Sequence, residues 1–389
     1  MTGLSRTTVG TLVADLQERG LVVEQAENAQ RSQTGRGRPP VFLRFDPSVG
    51  IAVGIDFDHD RIRIALADLS STILGEDCME IDVDRSAADA IDAAVAMLDA
   101  LRREAGVDEA QIVGVGVGLA GPIDRRTGAV GSPLILPGWA GLDAEHELTQ
   151  RLGLHVEVEN DANLGALAEV SFGAGRGMSD VVYVRVGSGV GAGLVIGGRL
   201  HHGVAGLAGE LGHVHVSPDG VVCRCGNRGC LETVAAEWAL GALLRPARGR
   251  DLTAREILDL VEVGDPGATR VVADAGRAIG GVLAALCNAL NPAAIIVGGE
   301  LSEAGEVLLG GIREAVDRLA LPGTSDAVEV LHAELGERAE VLGALALVIG
   351  NTERLRSVGL AAFAPPTTTP QAGRGRPVGR KEEVHAGSM

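Results

Sequence analysis

The chain has 389 residues, enough for two or three domains with separate cores, and 46% are hydrophobic against 22% charged, the balance of a globular protein. A formal net charge of −18 excludes a surface that coats nucleic acid wholesale, although a local patch can differ from the mean. Five cysteines with no disulfide-like framework predict a reducing, cytoplasmic setting, and aromatics at 2% leave the cores to Val, Leu, Ile and Ala.

Residues 1–45 differ from the rest. Ser5 is placed to cap a helix whose apolar positions Val9, Leu12, Val13 and Leu16 follow the spacing of one buried face, and Gly20 ends it. Residues 21–24 and 41–45 read as the strands of a hairpin whose loop carries Arg31, Arg36 and Arg38. Six arginines stand here against Asp15, Glu18, Glu24 and Glu27, a local balance of +2. Ser5, Arg6, Thr7 and Thr8 on the exposed helix face, with Arg36 and Arg38, are groups that contact phosphates and base edges. The region predicts a partial winged helix-turn-helix that binds DNA; a helix–hairpin appendage for packing or dimerisation is the alternative. It is partial because the chain opens at Thr2-Gly3-Leu4-Ser5, inside what is then the turn before the recognition helix. The run Gly35-Arg36-Gly37-Arg38-Pro39 recurs at 373–377. There it falls in a tail, 358–389, whose Pro, Thr and Gly content predicts disorder.

From Val49 the pattern becomes α/β. Strands are predicted over 50–57, 61–69 and 72–83, a helix over 86–105, and a strand over 111–119 whose Val and Gly run suits burial on both faces. A helix at 143–152 and a strand at 155–159 follow, and Asn160-Asp161-Ala162-Asn163 opens another helix. A second round begins with strands 181–186 and 190–196. It continues through helices 237–245, 253–262 and 266–290, strand 294–298, helix 303–319, strand 326–332 and helix 340–352. The uncharged run 278–299 has the length of a membrane span, but Asn288, Asn291 and Pro292 divide it into a helix and a strand, so no membrane partner is expected. Residues 1–30 are too polar for a signal peptide. Two rounds of this order predict two α/β lobes around a cleft.

In the second round, His213 is followed by Cys223, Cys225 and Cys230, with Glu210 and Glu232 on either side. Thiolate and imidazole are the ligands Zn²⁺ prefers, and a full Cys₃His set is a structural arrangement. His215 is a competing ligand, since residues two apart on a strand share a face. Cys78 and Cys287 read as buried thiols outside the cluster.

Together these motifs resemble the ROK family (repressors, open reading frames and kinases). The likeness rests on Gly209-Glu-Leu-Gly-His213, Cys223-x-Cys-Gly-x-x-Gly-Cys-x-Glu232, Val158-Glu-Asn-Asp-Ala-Asn163 and Gly187-Ser-Gly-Val-Gly-Ala-Gly193, and covers about 49–352. It implies an α/β fold of two actin-like, hexokinase-like lobes. These are 46–165, completed by a C-terminal helix over 340–357, and 166–339 with a structural zinc site. It further implies a sugar or sugar derivative held by Asn160, Asp161, Glu210, His213 and Glu232, with Asp161 at the position of the general base in the family's kinases.

The sequence departs from those kinases at the phosphate loops. Asp56-Phe57-Asp58-His59-Asp60-Arg61 stands where they carry Asp-x-Gly-Gly-Thr-Lys, and Glu300 follows Gly298-Gly299 where a third glycine is usual. Carboxylates repel phosphates, so ATP with Mg²⁺ is not expected as a cofactor. The resemblance therefore implies a sugar-responsive repressor, a homodimer or homotetramer on a DNA operator; the alternative is an ATP-dependent sugar kinase.

Overall fold

The computed structural model describes residues 5–18, 21–25, 42–46, 49–131 and 134–351. The first helix, α1 (Arg6–Glu18), is capped by Ser5, whose hydroxyl accepts the Thr8 amide at 3.1 Å. Strands β1 (Val22–Gln25) and β2 (Phe42–Phe45) follow as an antiparallel pair with Val22 opposite Phe45. The expected buried face of α1 is only partly covered. Val13 and Leu16 are half-buried, whereas Val9 is 38% and Leu12 49% exposed. The reason is that the body is reached at the C-terminal end of α1, where Leu16 packs with the buried Leu21 against Ala52, Ala65 and Val348.

The first lobe is a five-stranded sheet ordered β5-β4-β3-β6-β9. Its chain runs β3 (Ile51–Phe57), β4 (Arg61–Asp68), β5 (Ile73–Glu80), α2 (Ala87–Glu104), β6 (Ile112–Leu119), the small hairpin β7 (Ile123–Asp124) and β8 (Ala129–Val130), α3 (Ala144–Leu152) and β9 (Val156–Asn160). Strands β3, β4 and β5 are antiparallel, while β6 and β9 run parallel to β3. Val53, Ile55, Val115 and Val117 bury one face against Ile91 and Leu98 of α2 and Leu148 of α3. Trp139 closes this core, its indole N–H donating to the Val83 carbonyl at 3.1 Å and its ring set edge-on to Phe57.

Helix α4 (Asp161–Phe172) leads to the second lobe. Here β10 (Val181–Val186), β11 (Val190–Ile196) and β12 (Arg199–Leu200) precede α5 (Glu232–Ala235), α6 (Glu237–Arg248), α7 (Ala254–Glu262) and α8 (Pro266–Leu290). Then come β13 (Ala294–Gly298), α9 (Glu306–Leu319), α10 (Pro322–Ser325), β14 (Glu329–His332) and α11 (Ala339–Gly350). The sheet order is β12-β11-β10-β13-β14, with the same pattern of three antiparallel strands and two parallel additions. The repetition in element order is thus a repetition of topology, and the fold is the expected pair of α/β lobes of actin-like, hexokinase-like type.

Helix α11 returns to the first sheet and packs on α4 so closely that a Cβ on Gly343 would lie 2.1 Å from the Leu164 carbonyl oxygen. Glycine is required there by backbone approach. Helix α8 is the one helix among the described residues long and apolar enough to cross a membrane. Its Val272, Ile279 and Leu283 instead join a core with Ile312 of α9 and Val297 of β13, and Asn291 at φ 48° ends it before the strand.

Several boundaries differ from expectation for local reasons. The third strand stops at Glu80 because the Ile81 and Val83 amides turn to the Asp60 and His59 carbonyls. Helix α9 begins at Glu306, after Gly305 at φ 57° breaks it from a 3₁₀ turn over Glu300–Ala304. Strand β14 begins at Glu329 because Pro322 starts the short α10. Cys78, expected buried, is exposed on the edge strand β5, while Cys287 is buried as expected. Arg31, Arg36 and Arg38, residues 352–357 of the expected last helix, and the tail with its 373–377 repeat lie outside the described residues.

Candidate functional site

A cleft opens where the strand ends of the two sheets face each other. The first lobe contributes His59 after β3, Gly121 and Pro122 after β6, and Asn160 and Asp161 where β9 becomes α4. The second contributes Arg185 on β10, the turn Ser188–Gly189 into β11, and Glu210, His213, Arg224 and Glu232. All five residues expected to hold a sugar therefore line one pocket.

They are not equally available. Asn160 is the helix cap: its side-chain Oδ1 accepts the Ala162 and Asn163 amides at 2.9 and 3.3 Å, and its Nδ2 donates to Gly121 O and Asp161 Oδ1. Its polar atoms are thus engaged by protein. Asp161 Oδ1 also accepts the Ala162 amide at 2.8 Å, and Oδ2 lies 3.4 Å from Arg185 Nη1. Burial, then the charges of Asp161 and Glu232, push the Glu210 carboxyl up to about 7.

Arg185 is the centre of a charged cluster beneath the pocket. Its Nε donates to Glu340 Oε1 at 3.1 Å and its Nη2 to Asp58 Oδ2 at 3.4 Å. Burial pushes the Asp58 carboxyl up, but Arg185 and the His59 amide bring it below its ordinary value. Asp56 is raised well above its ordinary value by burial and then by Glu340 and Asp58. Burial likewise raises Glu340, against the pull of Arg185.

The metal-type cluster lies on the other wall. One donor atom from each of His213, Cys223, Cys225 and Cys230 lies within 4.8 Å of the others. His213 Nδ1 is 3.6 Å from Cys223 Sγ, and Cys225 Sγ is 3.7 Å from Cys230 Sγ. A tetrahedral ion with Zn–S bonds of about 2.3 Å sets sulfurs about 3.8 Å apart, so the donor spacing fits that ion. His215, the competing ligand, instead lines a separate apolar groove beside α8. The other ring nitrogen of His213 faces Glu210 Oε2 at 3.8 Å, so one imidazole joins the metal cluster to the cleft. The loop is folded around Gly229, at φ 69°, where a Cβ would lie 1.7 Å from the Ser217 carbonyl oxygen.

Arg224, between two of the cysteines, was not expected in the cleft. Its Nε and Nη2 grip Glu232 at 3.1 Å each, and Nη2 reaches the Ser188 carbonyl at 3.3 Å. Nothing in its neighbourhood in the chain marks Arg185, whose partners are set by tertiary structure, whereas Arg224 lies inside the cysteine motif and its partner Glu232 is only eight residues on. At the N-terminus, Ser5 and Thr8 hydroxyls pair at 2.8 Å and Thr7 is exposed, while the side chain of Arg6 is outside the described residues.

Comparison with known proteins agrees with this geometry. The family model described as "ROK family" matches residues 52–351. The chain is similar to the xylose repressor of Bacillus spizizenii, 31% identical over 90% of this chain and 89% of the repressor. Among solved structures it is similar to a ROK family transcriptional regulator, a homolog of the E. coli MLC protein. That match has TM-score 0.74 and 26% identity over 92% of this chain and 90% of the regulator. It is also similar to a ROK family glucokinase from Streptomyces griseus in complex with glucose and AMPPNP, with TM-score 0.65 and 33% identity over 77% of this chain and 99% of the kinase. The two lobes, their strand order and these matches have one reading: the chain belongs to the ROK family.

Proposed function

We propose that this protein is a sugar-responsive transcriptional repressor of the cytoplasm. A homodimer would present two N-terminal helix–hairpin elements to a DNA operator, and each cleft, between lobes at 46–165 and 166–339, would take a sugar. Coverage is the observation that carries this reading. The similarity to a repressor and a regulator extends over 90–92% of the chain, whereas the similarity to the glucokinase covers 77%. The family match begins at residue 52, so α1, β1 and β2 are additional to the shared two-lobed core. In the cleft, Asp161, Glu210 and Glu232 would accept sugar hydroxyls and His213 would donate its free N–H. A wrong stereoisomer would leave such groups unpaired, which is how polar sites discriminate sugars. Zn²⁺ bound by His213, Cys223, Cys225 and Cys230 would supply no chemistry beyond fixing the loop that carries Glu210, His213 and Glu232.

The kinase reading is supported by the glucokinase similarity and by the intact Gly187–Gly193 loop. Against it stand the Arg185 contact to Asp161 and the carboxylates of Asp58 and Asp60 in the first hairpin. A general base must be free to take the hydroxyl proton, and a nucleotide's phosphates need cations rather than acids around them.

The test begins with selection of bound duplexes from a random-sequence DNA pool, followed by band shifts with D-xylose or D-glucose. Sequence-specific binding released by one sugar is expected, and Asp161→Asn should abolish the release while DNA binding and zinc content are kept. Sugar-dependent ADP formation lost in Asp161→Asn, with no specific DNA selected, would reverse the ranking in favour of the kinase.

A further inference from the structure

Of the Arg185 cluster only Asp161 is assigned to the sugar, yet the cluster joins three parts of the molecule. Arg185 belongs to β10 of the second sheet. Its partners come from the other side of the cleft: Asp58 after β3, Asp161 at the end of β9, and Glu340 in the first turn of α11. The Arg185 side chain is 16% exposed, and contacts between such groups are stronger, and costlier to break, than at a surface. One rigid guanidinium fork thus holds a carboxylate that faces the pocket and a carboxylate that starts a helix.

Helix α11 leads onward. Its Leu342, Leu345 and Val348 share one core cluster with Leu21, just ahead of β1, and Leu16 of α1 packs against the same cluster. Gly343 sets α11 against the backbone of α4, whose first residue is Asp161. Backbone-to-backbone packing without intervening side chains transmits a displacement rather than absorbing it. A continuous set of contacts therefore runs from the pocket carboxylate, through Arg185 and Glu340, along α11, to the seat of the N-terminal element.

We propose that Arg185 and Glu340 are positioning residues that couple occupancy of the cleft to α11 and, through it, to the N-terminal helix and hairpin. The inference rests on the sugar-binding reading above. A hydroxyl donating to Asp161 competes with Arg185 Nη1 for the same carboxylate. The fork redistributes toward Glu340 and Asp58, and the start of α11 shifts with it. The sugar thereby has different contacts in the two states, which is the condition for shifting an equilibrium between them. By linkage, DNA held by the N-terminal element weakens sugar binding by the factor with which sugar weakens DNA binding.

The experiment is hydrogen–deuterium exchange on the full chain, with and without saturating D-xylose or D-glucose. It compares the wild type with Arg185→Lys, which keeps the charge without the fork, and Glu340→Ala, which keeps Arg185 and removes one arm. In the wild type, sugar should change exchange at 160–163, at 339–348 and at 21–25. Residues 339–348 do not line the cleft, so a response there is not direct contact. In both variants the response at 160–163 should persist and those at 339–348 and 21–25 should be lost. If Arg185→Lys fails to fold, Glu340→Ala decides alone. Persistence of the response along α11 in the folded variants overturns the coupling and leaves sugar binding standing. No response at 160–163 in the wild type overturns both.

Discussion

Glu159, one residue before the helix cap, shows how a buried carboxylate is kept charged beside this cleft. Its Oε2 lies 2.6 Å from His202 Nε2, and its Oε1 accepts from Asn163 Nδ2 and the Asn160 amide at 2.9 Å each. Burial alone would raise its pKa. The His202 hydrogen bond and charge, with Asn163 and the Asn160 amide, outweigh burial and hold it below the ordinary value of 4.5. A carboxyl depressed on folding stabilises the protein above its unfolded pKa and loses that contribution as pH falls through the folded one. Glu159→Gln should therefore destabilise the protein at pH 7 by roughly the 1.5–3 kcal/mol of a charge-assisted hydrogen bond, read as a lower melting temperature. The gap between variant and wild type should persist from pH 7 to about 4.5 and close only as pH falls below that, through the folded pKa. A gap that is constant with pH would show that the charge on Glu159 contributes nothing. Single residues also mark where the sequence was legible. Asp161, Glu210, His213 and Glu232 lie in short motifs whose spacing carries their chemistry. Arg185 pairs with Asp58 and Glu340, 127 and 155 residues away, so no local pattern could disclose it.

Among the elements, the metal-type loop depends most on something other than its own packing. Between β12 and α5 the only regular element is the 3₁₀ turn Leu211–His213, and Val221 and Val222 are exposed, so little apolar burial holds it. Four ligands converging on one ion would close it instead. Cys225→Ser, or prolonged chelation of the wild type, should reduce zinc by mass spectrometry from one ion per chain to none. Residues 213–232 should then become the first site of proteolysis, because an unliganded loop opens locally before the lobes do. Sugar affinity should fall by about tenfold or more, the equivalent of losing at least one aimed hydrogen bond. Full sugar affinity in zinc-free protein would separate the metal from the ligand site. The elements themselves were largely legible, because β3, β6, β10 and β13 are short apolar runs and the ends of α2 and α8 are punctuated by Ser86 and Asn291. What failed was α1. Its apolar spacing is legible as a pattern, but a pattern does not say what covers it, and Val9 and Leu12 are exposed.

Charge separates the body of the molecule from its two ends. The net charge is −18, and residues 1–45 and 358–389 each carry +2, which leaves −22 on residues 46–357. A body of that sign is repelled by DNA, and the repulsion reaches about 8–10 Å at physiological salt. On the proposed reading, DNA binding rests on the arginines of these basic ends, those of residues 1–45 first, and each phosphate they neutralise releases condensed counterions. The logarithm of the binding constant should fall linearly with the logarithm of salt concentration, with a slope of about −0.9 per contact. If Arg36 and Arg38 each meet one phosphate, the double substitution Arg36→Ala, Arg38→Ala should make the slope shallower by about 1.8 per subunit, or about 3.6 in a homodimer. The loss of affinity should be greatest at low salt, where counterion release is worth most. Sugar affinity, measured separately by calorimetry, should not change, because no residue of 1–45 lines the cleft among the described residues. An unchanged salt slope would remove these two arginines from the interface. A proportional loss of sugar affinity would mean instead that they support the fold.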